Sequence, residues 1–239
     1  MVNIIYIYSN IKEYMATVKK TTKKKLTATD IISEYMDYVL EHGKTPPTIY
    51  KFCKDIKCTE ADFYQFFGSF EGLKKHIWVA LYDSTVATLH KDKDFENYPN
   101  KDKMLSFLFT MFGNLTANRS YVLFVLQEHS APLKNMAQLK ELRTKVRQFA
   151  TSLIEEGNEN KSYKITKNPV QLFSEGAWVQ FLLLLKYWMN DNSPGFEKTD
   201  VAIEKSVKAI FDVFETTPLE SIIDLGKFLV KENFAFAKA

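Results

Sequence analysis

Two cysteines in 239 residues, Cys53 and Cys58, are too few for a disulfide framework, and their spacing with no neighbouring histidine is not a zinc pattern. A reducing cytosol is the expected compartment. Glycine and proline are also scarce, 8 and 7, and apolar residues recur at steps of three and four rather than two, so the expected fold class is all-α. The longest apolar run, "AWVQFLLLLKYWM", is 13 residues and contains Gln180 and Lys186. A spanning helix needs about 20, so no membrane insertion is expected. The opening "MVNIIYIYSN" lacks a basic lead-in and a small-residue cleavage site, so it reads poorly as a signal peptide. Met15 offers a second plausible start. No Gly-rich phosphate loop, H-E-x-x-H, C-x-x-C or G-x-S-x-G pattern occurs, and His42, His76, His90 and His129 are scattered. No residue is assigned to catalysis, and no metal or cofactor is expected.

What is abundant is apolar side chain: 46% hydrophobic and 14% aromatic residues suffice for a large core. Charge is placed unevenly. Residues 16–78 carry 11 Lys against 8 Asp or Glu, whereas residues 79–239 balance 20 with 20. The excess includes "KKTTKKK", Lys19 to Lys25, just before the first helical pattern. Such a run can follow phosphates or enter a minor groove, with Lys23, Lys24 and Lys25 the candidates. Taken alone, it fits a solubilising tail better.

Four helix starts follow in quick succession. "TATDIISEYMDYVLEHGK" has Thr27, Thr29 and Asp30 as possible caps and stops at Gly43; Thr48 can cap "IYKFCKDI", Thr59 "EADFYQFF", and Ser69 a long fourth helix. Three short helices with a link of a few residues between the second and third form the layout of a helix-turn-helix domain.

The stretch Ile49–Leu73 resembles, without a gap, the signature V-x-x-I-A-x-x-A-G-V-S-x-G-T-L-Y-x-Y-F-x-S-K-E-x-L of the tetracycline-repressor (TetR) family of bacterial regulators. Cys58 replaces the Val and Thr59 the Ser cap, while Phe63, Tyr64, Phe67, Ser69, Glu71 and Leu73 occupy matching places. The resemblance implies a flexible basic arm over residues 1–26, a helix-turn-helix domain over 27–75 and a larger helical ligand-binding and dimerisation domain over 76–239. It implies a homodimer on a double-stranded DNA operator, answering to a small hydrophobic ligand. The expected DNA contacts are Thr48, Thr59, Glu60, Asp62, Tyr64, Gln65 and Lys74, beside the lysines of the arm.

Three residues depart from the pattern. Glu60 and Asp62 stand at the start of the recognition helix, where the family usually has Lys and Thr, and Phe70 replaces a Lys. A carboxylate can accept from cytosine, yet it weakens attraction to a polyanion. An alternative is therefore a protein of this fold that binds lipid or another hydrophobic ligand and has lost DNA binding.

Beyond a polar connection over residues 90–103, "MLSFLFTMFGNLTANRSYVLFVLQEH" reads as one buried helix, and a second helix is expected from about Pro132 to Glu156. Two further helices meet at a turn over residues 190–196, the second capped by Thr199 or Asp200, and a last one is expected in "PLESIIDLGKFLVKENF". Phe107, Met111, Phe112, Tyr121, Phe124, Phe173 and Trp178 are the candidate ligand wall; their helical spacing suits a packed core at least as well. Phe181, Leu185, Trp188, Val207, Ile210, Phe211 and Phe214 are the candidate dimer face.

Overall fold

A computed structural model describes residues 26–128, 135–159 and 167–216, with side chains to residue 213. Among these residues the chain forms nine α-helices and no strand: α1 (Ala28–His42), α2 (Ile49–Asp55), α3 (Glu60–Tyr64), α4 (Phe70–Leu89), α5 (Asn100–Ala117), α6 (Arg119–Gln127), α7 (Lys140–Glu159), α8 (Val170–Met189) and α9 (Glu197–Thr216). The all-α expectation holds.

The first four helices start where hydroxyl caps stand. The Thr27 hydroxyl accepts from the Asp30 N–H at 3.1 Å, and the Asp30 carboxylate accepts from the Thr27 N–H at 2.9 Å, a reciprocal box that satisfies two free donors. Thr48 and Ser69 each accept from the backbone three residues on, at 3.1 Å. Gly43, at φ 61°, supplies the left-handed residue that ends α1.

α4 joins two layers of packing. Leu73 near its start is buried with the core of α1 to α3, while Trp78, Tyr82 and Thr85 are buried along the stretch that meets α5 and α7. α7 lies along α8, and α9 packs on both α5 and α8. Lys103 of α5 is buried and donates to both carboxylate oxygens of Glu156 on α7, each at 3.0 Å.

Several boundaries differ from the sequence reading. The single helix expected from residue 104 breaks at Asn118, whose backbone leaves the helical region, into α5 and α6, and Arg119 at the start of α6 donates to the end of α8. The polar connection is shorter than expected: Phe95 is buried and α5 already starts at Asn100. α7 starts at Lys140, and Pro132 lies outside the described residues. The third helix stops at Tyr64, with residues 65–66 continuing as a turn.

Asp191, rather than Thr199 or Asp200, organises the α8–α9 turn. Its carboxylate accepts from Ser193 N (2.9 Å) and Oγ (2.7 Å), and from Thr199 N (2.9 Å) and Oγ1 (2.7 Å). These bonds, the Ser193 side chain's first, hold its carboxyl well below the usual carboxylate range.

Candidate functional site

The head, α1 to α3 with the start of α4, is built on an aromatic cluster. Phe52 is fully buried, with ring centroids of Tyr35, Tyr38, Phe63 and Phe70 within 5.7–6.2 Å. Phe70 therefore extends the core where the resembled pattern has a cation. Cys53 is buried, and burial followed by its hydrogen bond with Cys58 pushes its thiol up to about 12, so it stays protonated and inert.

The surface of the head is what this core leaves over. Tyr50 (63% exposed), Tyr64 (53%) and Gln65 face solvent, as do Lys51, Lys54 and Lys57 around α2. Lys57 itself occupies the left-handed region at φ 58°, which makes the tight link to α3 possible without glycine. Glu60 is also exposed. Thr48 and Thr59 are exposed, but their hydroxyls serve as helix caps.

Asp62 and Lys74 are placed differently from the expectation. The Asp62 carboxylate turns back onto its own helix start, accepting from Thr59 N (2.9 Å) and Thr59 Oγ1 (2.7 Å), so it caps α3 instead of facing outward. Lys74 is only 12% exposed and donates to Glu128 at 2.6 Å, which removes it from the surface. Lys23, Lys24 and Lys25 lie outside the described residues.

That Lys74–Glu128 pair also ties α4 to the end of α6, and it has an aromatic neighbour. Tyr35 of α1 and Tyr121 of α6 pack edge to face with centroids 6.5 Å apart, both buried and both with hydroxyls that lack a hydrogen-bond partner. Burial first, then the nearby Glu128 for Tyr35 and Tyr35 for Tyr121, raises both phenols above their ordinary range, so they remain neutral. Head and body thus share one piece of interior. Tyr121 belongs to it, not to a ligand wall.

The body holds an open apolar cavity of about 1010 Å³ bounded by α5, α7, α8 and α9. Of the seven candidate ligand residues, only Phe173 lines it. Phe107, Met111 and Phe112 are core: Phe107 stacks on Phe149 at 4.4 Å, the Thr85 hydroxyl donates to the Met111 sulfur, and Phe112 packs on Phe181 and Trp188. Trp178 is buried and stacks on Phe181 at 5.5 Å, while Phe124 is half-buried against the core. Aromatic rings found one another, and the space was left beside small residues. Ala150, Gly157, Gly176, Ala177, Ala202, Ser206 and Ala209 all line the cavity, and a Cβ on Gly176 would meet nothing within 4 Å. Small residues recurring on several helices were the signal that aromatic counting missed.

The candidate dimer face also turns inward. Phe181, Leu185, Trp188 and Val207 are buried within the one chain, and Ile210 and Phe211 are half-buried on the cavity wall. The Phe214 side chain lies outside the described residues. The reason is that α8 packs against α7, and α9 against α5, so the apolar sides of both helices are used inside the chain. The exposed strip on α8 is instead Leu172, Val179, Leu183 and Tyr187, at helical spacing around Gly176.

Among the described residues no helix is long and apolar enough to cross a membrane, and no group of three or more His, Cys, Asp or Glu is placed to hold a metal. A comparison with curated proteins finds no match. The sequence does match the tetracyclin repressor-like, C-terminal domain over residues 103–229, just over half of its 239 residues. The helical body and the capped three-helix head are therefore those of a chain that belongs to the tetracycline-repressor-like family of regulators.

Proposed function

We propose that this chain is a cytoplasmic, ligand-responsive transcriptional regulator, a repressor that binds a double-stranded DNA operator as a homodimer. The observation that carries this reading is the surface of the head: Tyr64 and Gln65 at the end of α3, with Lys51, Lys54 and Lys57 around α2, are solvent-facing and unused by the core. Side chains of these types contact phosphates and base edges. A hydrophobic ligand in the cavity, held by α5, α7, α8 and α9, acts through the packed junction of α4 and α6 with the head. Operator affinity falls by the ligand's preference for one arrangement over the other. Pairing falls to exposed parts of α8 and α9, such as Tyr187 and Val201, because the inner faces are already occupied.

The second reading, a hydrophobic-ligand binder without DNA affinity, is favoured by exposed Glu60 and by the pairing of Lys74 with Glu128. Glu60→Lys separates the two. Asp62 is left alone because it caps α3. Under the regulator reading the native chain binds DNA from upstream of its own gene, and Glu60→Lys alters sequence preference and steepens the log–log salt slope by about two, one added phosphate contact in each subunit. If the native chain binds nothing and Glu60→Lys creates affinity, the regulator reading is wrong. Fluorescence anisotropy with matched and scrambled duplexes makes the measurement.

A further inference from the structure

The two cysteines of the chain stand at the two ends of one turn, the link from α2 to α3. α2 closes with Cys58 N–H donating to Cys53 O at 2.8 Å and Lys57 N–H donating to Lys54 O at 3.3 Å, with Lys57 itself at φ 58°. Such a pair of bonds about a left-handed residue is a Schellman closure, in which the side chains at the ends of the longer bond meet. Here they do: the Cys53 and Cys58 thiols are hydrogen-bonded to each other. One helical turn rises about 5.4 Å, inside the roughly 4.4–6.8 Å of Cα separation that a disulfide accepts. Any two small apolar side chains would serve the closure. Two thiols bring a chemistry that the closure does not need.

The two ends differ in access. Cys53 is 2% exposed, whereas Cys58 is half-buried, so a reagent from solution reaches the pair through Cys58. Cys58 also directly precedes Thr59, which caps α3 together with Asp62.

We propose that Cys53 and Cys58 are a redox modification site, closing a reversible disulfide under peroxide and so displacing the start of α3. In the first step the Cys58 thiolate attacks a peroxide oxygen and the O–O bond breaks. One oxygen stays on Cys58 as a sulfenic acid; the other leaves as hydroxide and takes up the proton that the thiol released. In the second step the Cys53 sulfur attacks the Cys58 sulfur, the S–O bond breaks, and the Cys53 proton leaves with the hydroxyl as water. Together the two thiols lose two electrons and two protons, and hydrogen peroxide becomes two waters. In a reducing compartment such a bond is transient, which suits a signal. The bond draws the sulfurs from contact to about 2 Å. Cys53 is held by close packing in the core of the head, so Cys58 moves, and with it the start of the helix that presents Tyr64 and Gln65. The effect on DNA rests on the regulator reading; the disulfide does not.

Peroxide treatment of the full chain, followed by iodoacetamide, tests the site. Trypsin cuts after Lys54 and Lys57, so the disulfide appears as peptide 52–54 joined to peptide 58–74. The expected result is this joined pair within a single chain, reversed by dithiothreitol. Cys53→Ala should stop at a sulfenic acid that dimedone traps, and Cys58→Ser should leave Cys53 a thiol. The oxidised chain should bind the upstream duplex about tenfold more weakly, with recovery in dithiothreitol and no peroxide response in Cys58→Ser. Recovery separates the disulfide from methionine sulfoxide, which needs its own reductases. Thiols that both stay reduced, Cys58 carried on to sulfinic acid beside an intact Cys53 thiol, or a disulfide formed only between chains or only in urea overturns the proposal. A disulfide inside the folded chain that leaves DNA affinity unchanged overturns the displacement of α3. If the reduced chain binds no DNA, the regulator reading fails, and the joined peptide with altered hydrogen exchange over residues 59–65 still decides the proposal.

Discussion

Phe52→Ala is expected to unfold the head and abolish DNA binding while the body stays folded. Phe52 is fully buried, and four rings converge on it within 5.7–6.2 Å. Truncating a buried phenylalanine to alanine costs about 3–5 kcal/mol, through lost transfer energy and the cavity left behind. The head spans only about 50 residues, and a unit of that size has little stability to spare. Its folded-to-unfolded ratio should fall by about two to nearly four powers of ten, and DNA affinity should fall with it. The body has its own core of Phe107, Met111, Phe181 and Trp188, which does not include Phe52. Hydrogen exchange of residues 49–67 reads the head directly. Native-like protection there in Phe52→Ala would contradict the packing described. Phe52→Leu keeps most of the volume and should cost about 1–1.5 kcal/mol.

Arg119→Ala should destabilise the body by about 3–4 kcal/mol. The Arg119 guanidinium donates to three backbone carbonyls at the end of α8: Trp188 O at 2.9 Å, Met189 O at 3.2 Å and Asp191 O at 3.2 Å. It lies 4.4 Å from the ring centroids of both Trp188 and Phe196. A cation here meets the negative end of the α8 dipole and adds a donor to the last carbonyls, of which Trp188 O also accepts from Asp191 N at 3.2 Å. Removing it leaves those acceptors partly buried and opens a gap between two rings. Arg119→Lys should recover little, because an ammonium cannot reproduce the planar fork. Urea unfolding followed by tryptophan fluorescence makes the measurement, Trp188 being fully buried in the native chain. A loss below 1 kcal/mol would mean that the carbonyls find water at no cost.

The head was largely legible in the sequence because its signals are local. Thr27, Thr48, Thr59 and Ser69 cap their helices within three residues, and Gly43 ends α1 by its own conformation. Local signals did not disclose what Asp62 does. As a residue type it suggested a misplaced charge facing DNA, whereas its position three residues after Thr59 made it half of a capping box. Non-local partners were the harder part. Nothing near Lys74 indicates that Glu128 will take it out of reach, and nothing near Asn118 indicates that the helix breaks there or that Arg119 reaches the end of α8. The cavity and the dimer face failed for a related reason. Large apolar residues pack against each other first, so Phe112, Phe181 and Trp188 fill the core, and the open space lies beside Gly176, Ala202 and Ala209.

The head's surface leaves Glu60 as the main electrostatic objection to DNA binding, since Asp62 is engaged in a cap and Phe70 in the core. Lys51, Lys54 and Lys57 remain exposed to offset it. The salt dependence of binding by the native chain tests this balance most directly. Titration of a duplex from upstream of its own gene, and of a scrambled duplex of equal length, is followed from low to physiological salt. The regulator account expects the upstream duplex to bind more tightly, with a log–log slope on the order of −4 or steeper for a paired head making several phosphate contacts. A folded chain that binds neither duplex, or both equally at every salt concentration, would contradict it.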